Sequence, residues 1–174
     1  MRTEQFPGCL EDYWIDTLNI LIWLTGSVSG YEKKGESMYE NLTKYIPKIQ
    51  GDFFGEWVKD TQNDGTARQP MQMPYMNYSE SVNSFRKDFY QFLTDHTDVN
   101  LSDYQKILEE NGITWDFDSM NNANVSSLGE FCVLALILGA IRTDRFSEGA
   151  LLHFLESGAI VRWLERLKAI DEVL

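Results

Sequence analysis

The sequence predicts a mainly α (α+β) fold: a compact bundle of about six or seven helices around a buried central helix at residues 127–143, with a small two- or three-stranded antiparallel sheet. Three observations point to this class. Apolar residues recur every three or four positions in several separate windows, the period of a helix with one buried face. Phe131 to Ile141 carries no charge at all, yet it is well short of the ~20 apolar residues that cross a bilayer, so it is predicted as a core helix covered on nearly all sides. Only the stretch from Phe53 to Tyr78 departs from helical spacing: two short aromatic-rich runs, FFGEWVKD and QMPYMNY, flank the turn signal Asp64-Gly65.

Taken in order, Leu10, Trp14, Leu18, Leu21 and Ile22 share one stripe and predict a largely buried first helix that Gly26 ends, before a polar loop over 26–36. Ser37 and Glu40 form an S-x-x-E capping box for a second helix through Met38, Leu42 and Tyr45. Pro47 lacks an amide hydrogen and restricts Ile46, so this helix is predicted to stop near Tyr45. The aromatic runs then predict a hairpin with a long connection, its second strand kept short or at an edge by Pro70 and Pro74.

Ser79 caps a helix whose buried face is Val82, Phe85, Phe89, Phe92 and Leu93. A second box, Ser102 with Gln105, starts a short helix that Gly112 ends, and the alternation Ile113-Thr114-Trp115-Asp116-Phe117 reads as a further strand. Ser127 and Glu130 make a third box for the central helix. Ser147 is the predicted cap of the next helix, Gly158 its end, and Ile160, Trp163, Leu164, Leu167 and Ile170 the buried stripe of the last one.

A chain of 174 residues with 43% hydrophobic and 24% charged residues suits one folded domain rather than a disordered segment. Its 27 acidic against 15 basic side chains give a net charge of -12, which repels phosphate backbones and argues against nucleic acid as a partner. MRTEQFPG lacks the basic-then-apolar order of a signal peptide, and Cys9 and Cys132 read as reduced thiols; a cytoplasmic protein with no membrane partner is expected.

FGEW at Phe54–Trp57, MPYMNYS at Met73–Ser79 and RTDRFSEGALLHFLESGAIVRWLERL at Arg142–Leu167 resemble, in order and spacing, an uncharacterised bacterial family known only as a domain of unknown function. Its members carry GEW, MPY-x-YS and a C-terminal RF-x-(E/D)G unit followed by G-x-(I/L) and L-x-RL. The resemblance covers roughly residues 40–170; a Phe-Asp-Trp string found in members is replaced here by Trp115-Asp116-Phe117-Asp118. It implies a shared fold and brings no activity with it.

Two groups of residues are candidates for a site. Trp57, Tyr75, Tyr78 and Trp115, joined by Phe117, are aromatics with polar handles of the kind that line ligand grooves and interfaces, and that also pack sheets onto helices. Arg142 and Arg145 flank the turn after the central helix and could hold a carboxylate or phosphate; alternatively Arg142 answers the helix dipole while Asp144 and Glu148 pair with Arg145.

Glu56 and Asp116 would serve acid–base chemistry only if folding brings them together. His96 and His153 lack ligand spacing for a metal, Cys132 lacks an activating neighbour, and no cofactor motif is present. The residues Arg162, Arg166 and Lys168 are interleaved with acids and make no basic recognition face.

The expected function is therefore non-enzymatic binding of a protein or small ligand through an aromatic surface around residues 53–78, with homo-oligomerisation an open partner class. The alternatives are a small hydrolase or transferase with acidic residues in a cleft, and an acidic mimic that inhibits a nucleic-acid-binding protein.

Overall fold

The computed structural model describes residues 37–51 and 53–173. The expected helix over 10–24, the 26–36 loop and Cys9 lie outside them. Residues Glu36–Leu174 form one compact unit. Its elements, in chain order, are α1 (Glu40–Thr43), α2 (Ile46–Ile49), β1 (Gly55–Val58), β2 (Tyr75–Tyr78), α3 (Glu80–Asp95), α4 (Tyr104–Glu110), α5 (Phe117–Asn121), a 3-10 turn (Val125–Ser127), α6 (Glu130–Thr143), α7 (Ala150–Glu156) and α8 (Ala159–Asp171). The fold is the mainly helical one with a small sheet that the patterning predicts.

Helix α6 is the centre. Every residue from Cys132 to Ile141 is buried, as an uncharged helix with no polar face requires. It packs against α4, α7 and α8, and α8 in turn covers α1 and α2. Phe85, Phe89 and Phe92 of α3 join this core, as their spacing predicts, and Ser79 caps α3 by accepting a hydrogen bond from Val82 N–H. Gly139 lets the ring of Trp115 close on α6: a Cβ there would lie 3.3 Å from Trp115 Cδ1. No helix among the described residues is long and apolar enough to cross a membrane.

Apart from the Ser79 cap of α3, several helix starts differ from the predicted ones. None of the three boxes forms. Asp171, near the end of α8, accepts hydrogen bonds from the Ser37 hydroxyl, Met38 N–H (3.1 Å) and Tyr39 N–H (3.0 Å), so a distant carboxylate holds the turn that leads into α1. Ser102 instead pairs with Asn100, and Asp103 precedes α4. Ser127 closes the 3-10 turn on the Asn124 carbonyl, and the central helix starts at Glu130 behind Gly129. Ser147 does not cap α7, which begins after the left-handed Gly149.

Pro47 begins a separate short helix at its first turn, where a missing amide hydrogen costs nothing, and α1 ends two residues before Tyr45. The predicted strand at Ile113–Phe117 is absent. Asp116 instead accepts from Ser119 N–H (2.8 Å) and starts α5, a local cap that outweighs the weak alternating pattern.

Candidate functional site

The predicted hairpin is present. β1 and β2 pair antiparallel with Gly55 opposite Tyr78, Glu56 opposite Asn77, Trp57 opposite Met76 and Val58 opposite Tyr75. Alternation puts Gly55, Trp57, Met76 and Tyr78 on one face and Glu56, Val58, Asn77 and Tyr75 on the other. Met76 and Tyr78 are buried, whereas Glu56, Asn77 and Tyr75 are exposed. Gly55 has φ +149, and a Cβ on it would lie 2.4 Å from the Asn77 carbonyl oxygen; only glycine allows the strands this close.

The turn between α6 and α7 holds the hairpin. Tyr78 donates its hydroxyl to Asp144 (2.6 Å), and the same carboxylate oxygen accepts Leu151 N–H (3.2 Å), capping α7. Arg86 of α3 lies 3.8 Å from the other Asp144 oxygen and over the Tyr78 ring. Asp144 is the one buried charged residue among those described. Burial and the Asp144 hydrogen bond drive the Tyr78 hydroxyl far above the usual tyrosine range.

Glu148 accepts Met76 N–H at 2.7 Å, and the Trp57 indole covers Gly149, whose φ is +80; a Cβ there would come within 2.5 Å of Trp57 Cζ2. The three strings FGEW, MPYMNYS and RFSEG thus meet at one place. Asp144 and Glu148 face the hairpin, and the alternative that assigned them to Arg145 is corrected.

The candidate residues separate into distinct settings. Tyr78 is 6% exposed and belongs to this buried junction. Trp57 and Tyr75, on opposite faces of the hairpin, are 45% and 41% exposed, and Phe53, Met71 and Met73 in the flanking segments are exposed as well. Beside Tyr75, a polar hollow of about 320 Å³ is lined by the connection, including Asp60 and Gln72. Asp60 organises that connection. It accepts amide hydrogens from Gln72, Gln62 and Asn63 and a side-chain hydrogen from Asn63, with the Gln72 bond foremost in holding its carboxyl far below the ordinary aspartate range.

Trp115 is half-buried. Its indole donates to the Gly139 carbonyl (3.3 Å), and its ring meets Tyr104 and Phe146 edge-on. Arg142 lies 5.1 Å above the Tyr104 ring with its Nε buried and unpartnered, while Arg145 reaches the Tyr90 hydroxyl of α3 (3.4 Å). Among the described residues no carboxylate comes within ion-pair distance of either arginine. Their side chains lie against different helices, α4 and α3, and share no partner among the described residues.

Asp116 is committed to the α5 cap, and Glu56 lies on the exposed strand face. His153 is exposed beside Phe117, His96 stacks on Phe92, and Cys132 is buried, its thiol pushed up to about 11 by burial. Among the described residues no cluster of His, Cys, Asp and Glu could hold a metal ion. Arg162 and Arg166 bind carbonyls of Ser157, Asn121 and Leu128, tying α8 to the segment before α6.

Sequence reasoning missed the carboxylates at the centre of this junction, Asp144 and Glu148. Their partners are 66 and 72 positions away, and the one local signal is the adjacent glycine, Gly149, which marks a tight turn. No curated protein and no solved structure matches the chain. Residues 36–173 match the Family of unknown function (DUF6508), and the chain belongs to that family.

Proposed function

We propose that this member of a family of unknown function is a non-enzymatic binding protein that engages a protein or small ligand through the exposed aromatic and apolar side chains of its hairpin and the flanking segments. One observation carries the reading. Of the nine large hydrophobic side chains exposed among the described residues, five (Phe53, Trp57, Met71, Met73 and Tyr75) belong to the hairpin and its flanks. Apolar side chains gathered on one short element, itself fixed to the body by buried polar contacts, are typical of an interaction surface.

The hydrolase or transferase reading has less support, because Asp116 is occupied as a helix cap. The reading places the protein in the cytoplasm, where the free thiol of Cys132 stays reduced.

The test is a pull-down with wild-type protein and the Trp57→Ala/Tyr75→Ala double variant, with circular dichroism confirming that the variant is folded. Loss of the captured partners is expected. Retention of every partner by the folded variant would sink the reading.

A further inference from the structure

The two edges of the hairpin differ. Met76 N–H goes to Glu148 and not to β1, so the Trp57–Met76 pair is a non-hydrogen-bonded one, and Ser79 N–H donates to the Phe54 carbonyl (2.7 Å) in the neighbouring hydrogen-bonded position. By the alternation of antiparallel ladders, Gly55 and Trp57 on one strand, and Met76 and Tyr78 on the other, point their peptide groups outward. On the β2 side two of the four outward groups are taken: Met76 N–H by Glu148, and the Tyr78 carbonyl by the Asn83 side chain (2.9 Å). On the β1 side, none of the described residues bonds the outward peptide groups of Gly55 or Trp57. One edge is partly closed by side chains, and the other has no partner among the described residues.

Charge selects what the open edge accepts. Glu56 lies between the two open residues, exposed. In a ladder built on Gly55 and Trp57, Glu56 occupies a non-hydrogen-bonded position, where directly opposite side chains come closest. A second copy of the chain is a poor occupant: the register that uses both open residues of each copy sets Glu56 against its own counterpart, and each copy carries a net charge of -12. A lysine or arginine at that place is favoured, and the exposed Trp57 indole offers apolar contact to the residue beside it.

We infer that the outer edge of β1 receives an extended segment of a partner protein as a third strand, with an apolar–basic–apolar triplet whose basic residue faces Glu56. The inference rests on the proposed binding role of the hairpin and specifies its mode, strand addition, in which main-chain hydrogen bonds give affinity and alternate side chains give specificity.

The experiment is selection of a randomised peptide library on the intact protein. Enrichment of apolar–basic–apolar triplets is expected. Amide hydrogen exchange with the selected peptide should show protection at Gly55 and Trp57, and N-methylation of alternate peptide amides, with side chains unchanged, should weaken binding by more than about tenfold. Glu56→Lys should remove the preference for basic residues.

Failure to enrich any peptide, enrichment without basic residues, or binding that survives N-methylation would each overturn the inference. Survival of N-methylation together with loss on Trp57→Ala leaves the aromatic surface standing and removes only the strand addition. Protection of Gly55 and Trp57 that rises with protein concentration alone assigns the edge to a second copy and overturns the inference as well.

Discussion

Ten consecutive residues of α6, Cys132 to Ile141, are buried, and none of their own side chains makes a hydrogen bond among the described residues. The hairpin has two buried side chains, Met76 and Tyr78, and reaches the body through two carboxylates of the 144–149 turn and its own Trp57 indole, which covers Gly149. Apolar packing depends on total buried area and tolerates small shifts; a hydrogen-bonded latch depends on a few atoms in fixed places. The body is therefore expected to govern global stability, and the turn to govern where the hairpin sits. The hairpin's exposed side keeps its apolar residues because so few contacts are needed to hold it.

The largest effect is expected from alkali, which in the unfolded chain ionises groups buried in the body and also the latch hydroxyl of Tyr78. Burial, aided by Glu130, Asp171 and Asp98, pushes the Tyr39 hydroxyl up to about 12; burial and the hydrogen bond to Asp88 push Tyr45 up to about 12; burial pushes Cys132 up to about 11. The unfolded chain releases these protons nearer 10.0 for tyrosine and 9.0 for cysteine. Folded-state values are raised, so stability is whole below the unfolded values and falls as pH climbs through about 11 and 12. Urea melts at stepwise higher pH should show this loss, and stability that stays flat to the end of the range would contradict it.

Leu136→Ala should lower global stability by about 2–5 kcal/mol through lost burial and a residual cavity, measured by urea denaturation. Asp144→Ala comes next, at about 1–3 kcal/mol, since it leaves the Tyr78 hydroxyl and Arg86 without their acceptor. Its signature is local: hairpin amides should exchange faster than α6 amides do. Equal loss of protection in both would erase the distinction between latch and body.

Gly149→Ala should cost about 1–2 kcal/mol for a left-handed residue that now carries a Cβ, and it should displace the Trp57 indole, visible in near-ultraviolet circular dichroism. The smallest effect is expected at Phe146, 80% exposed on the same turn, where Phe146→Ala should stay within about 0.5 kcal/mol of wild type in the same melts.

The contrast also accounts for what the sequence made legible. The body was readable because burial leaves a pattern: the stripes on α3 and α8 give those helices their inward faces, with Leu93 and Ile170 at the partly buried margin, and the charge-free run of α6 is buried throughout. The hairpin was readable as an element from its aromatic runs and Asp64-Gly65, but its attachment was not, because the partners of Tyr78 and Met76 are set by the fold and not by neighbours in the chain. Tyr78 and Tyr75 look alike in sequence; alternation and one distant carboxylate send the first inward and leave the second outside. The serine boxes failed for a related reason. A four-residue string such as Ser127 to Glu130 is compatible with several helix starts, and packing of the neighbouring turn chose among them.

The Asp171 carboxylate sets an order of events when the protein is made. Its three hydrogen bonds to Ser37, Met38 and Tyr39 join positions 132 to 134 residues apart. At synthesis rates of roughly 5–20 residues per second, the turn that leads into α1 waits on the order of ten seconds for the carboxylate that holds it. A four-residue helix has no stability of its own over that interval, so this end of the unit is closed last, after α8 has emerged and docked. Ribosome-bound chains arrested before residue 171 should therefore leave the Ser37–Tyr39 turn without its acceptor and Leu42, buried in the finished fold, open to proteolysis or to a chaperone.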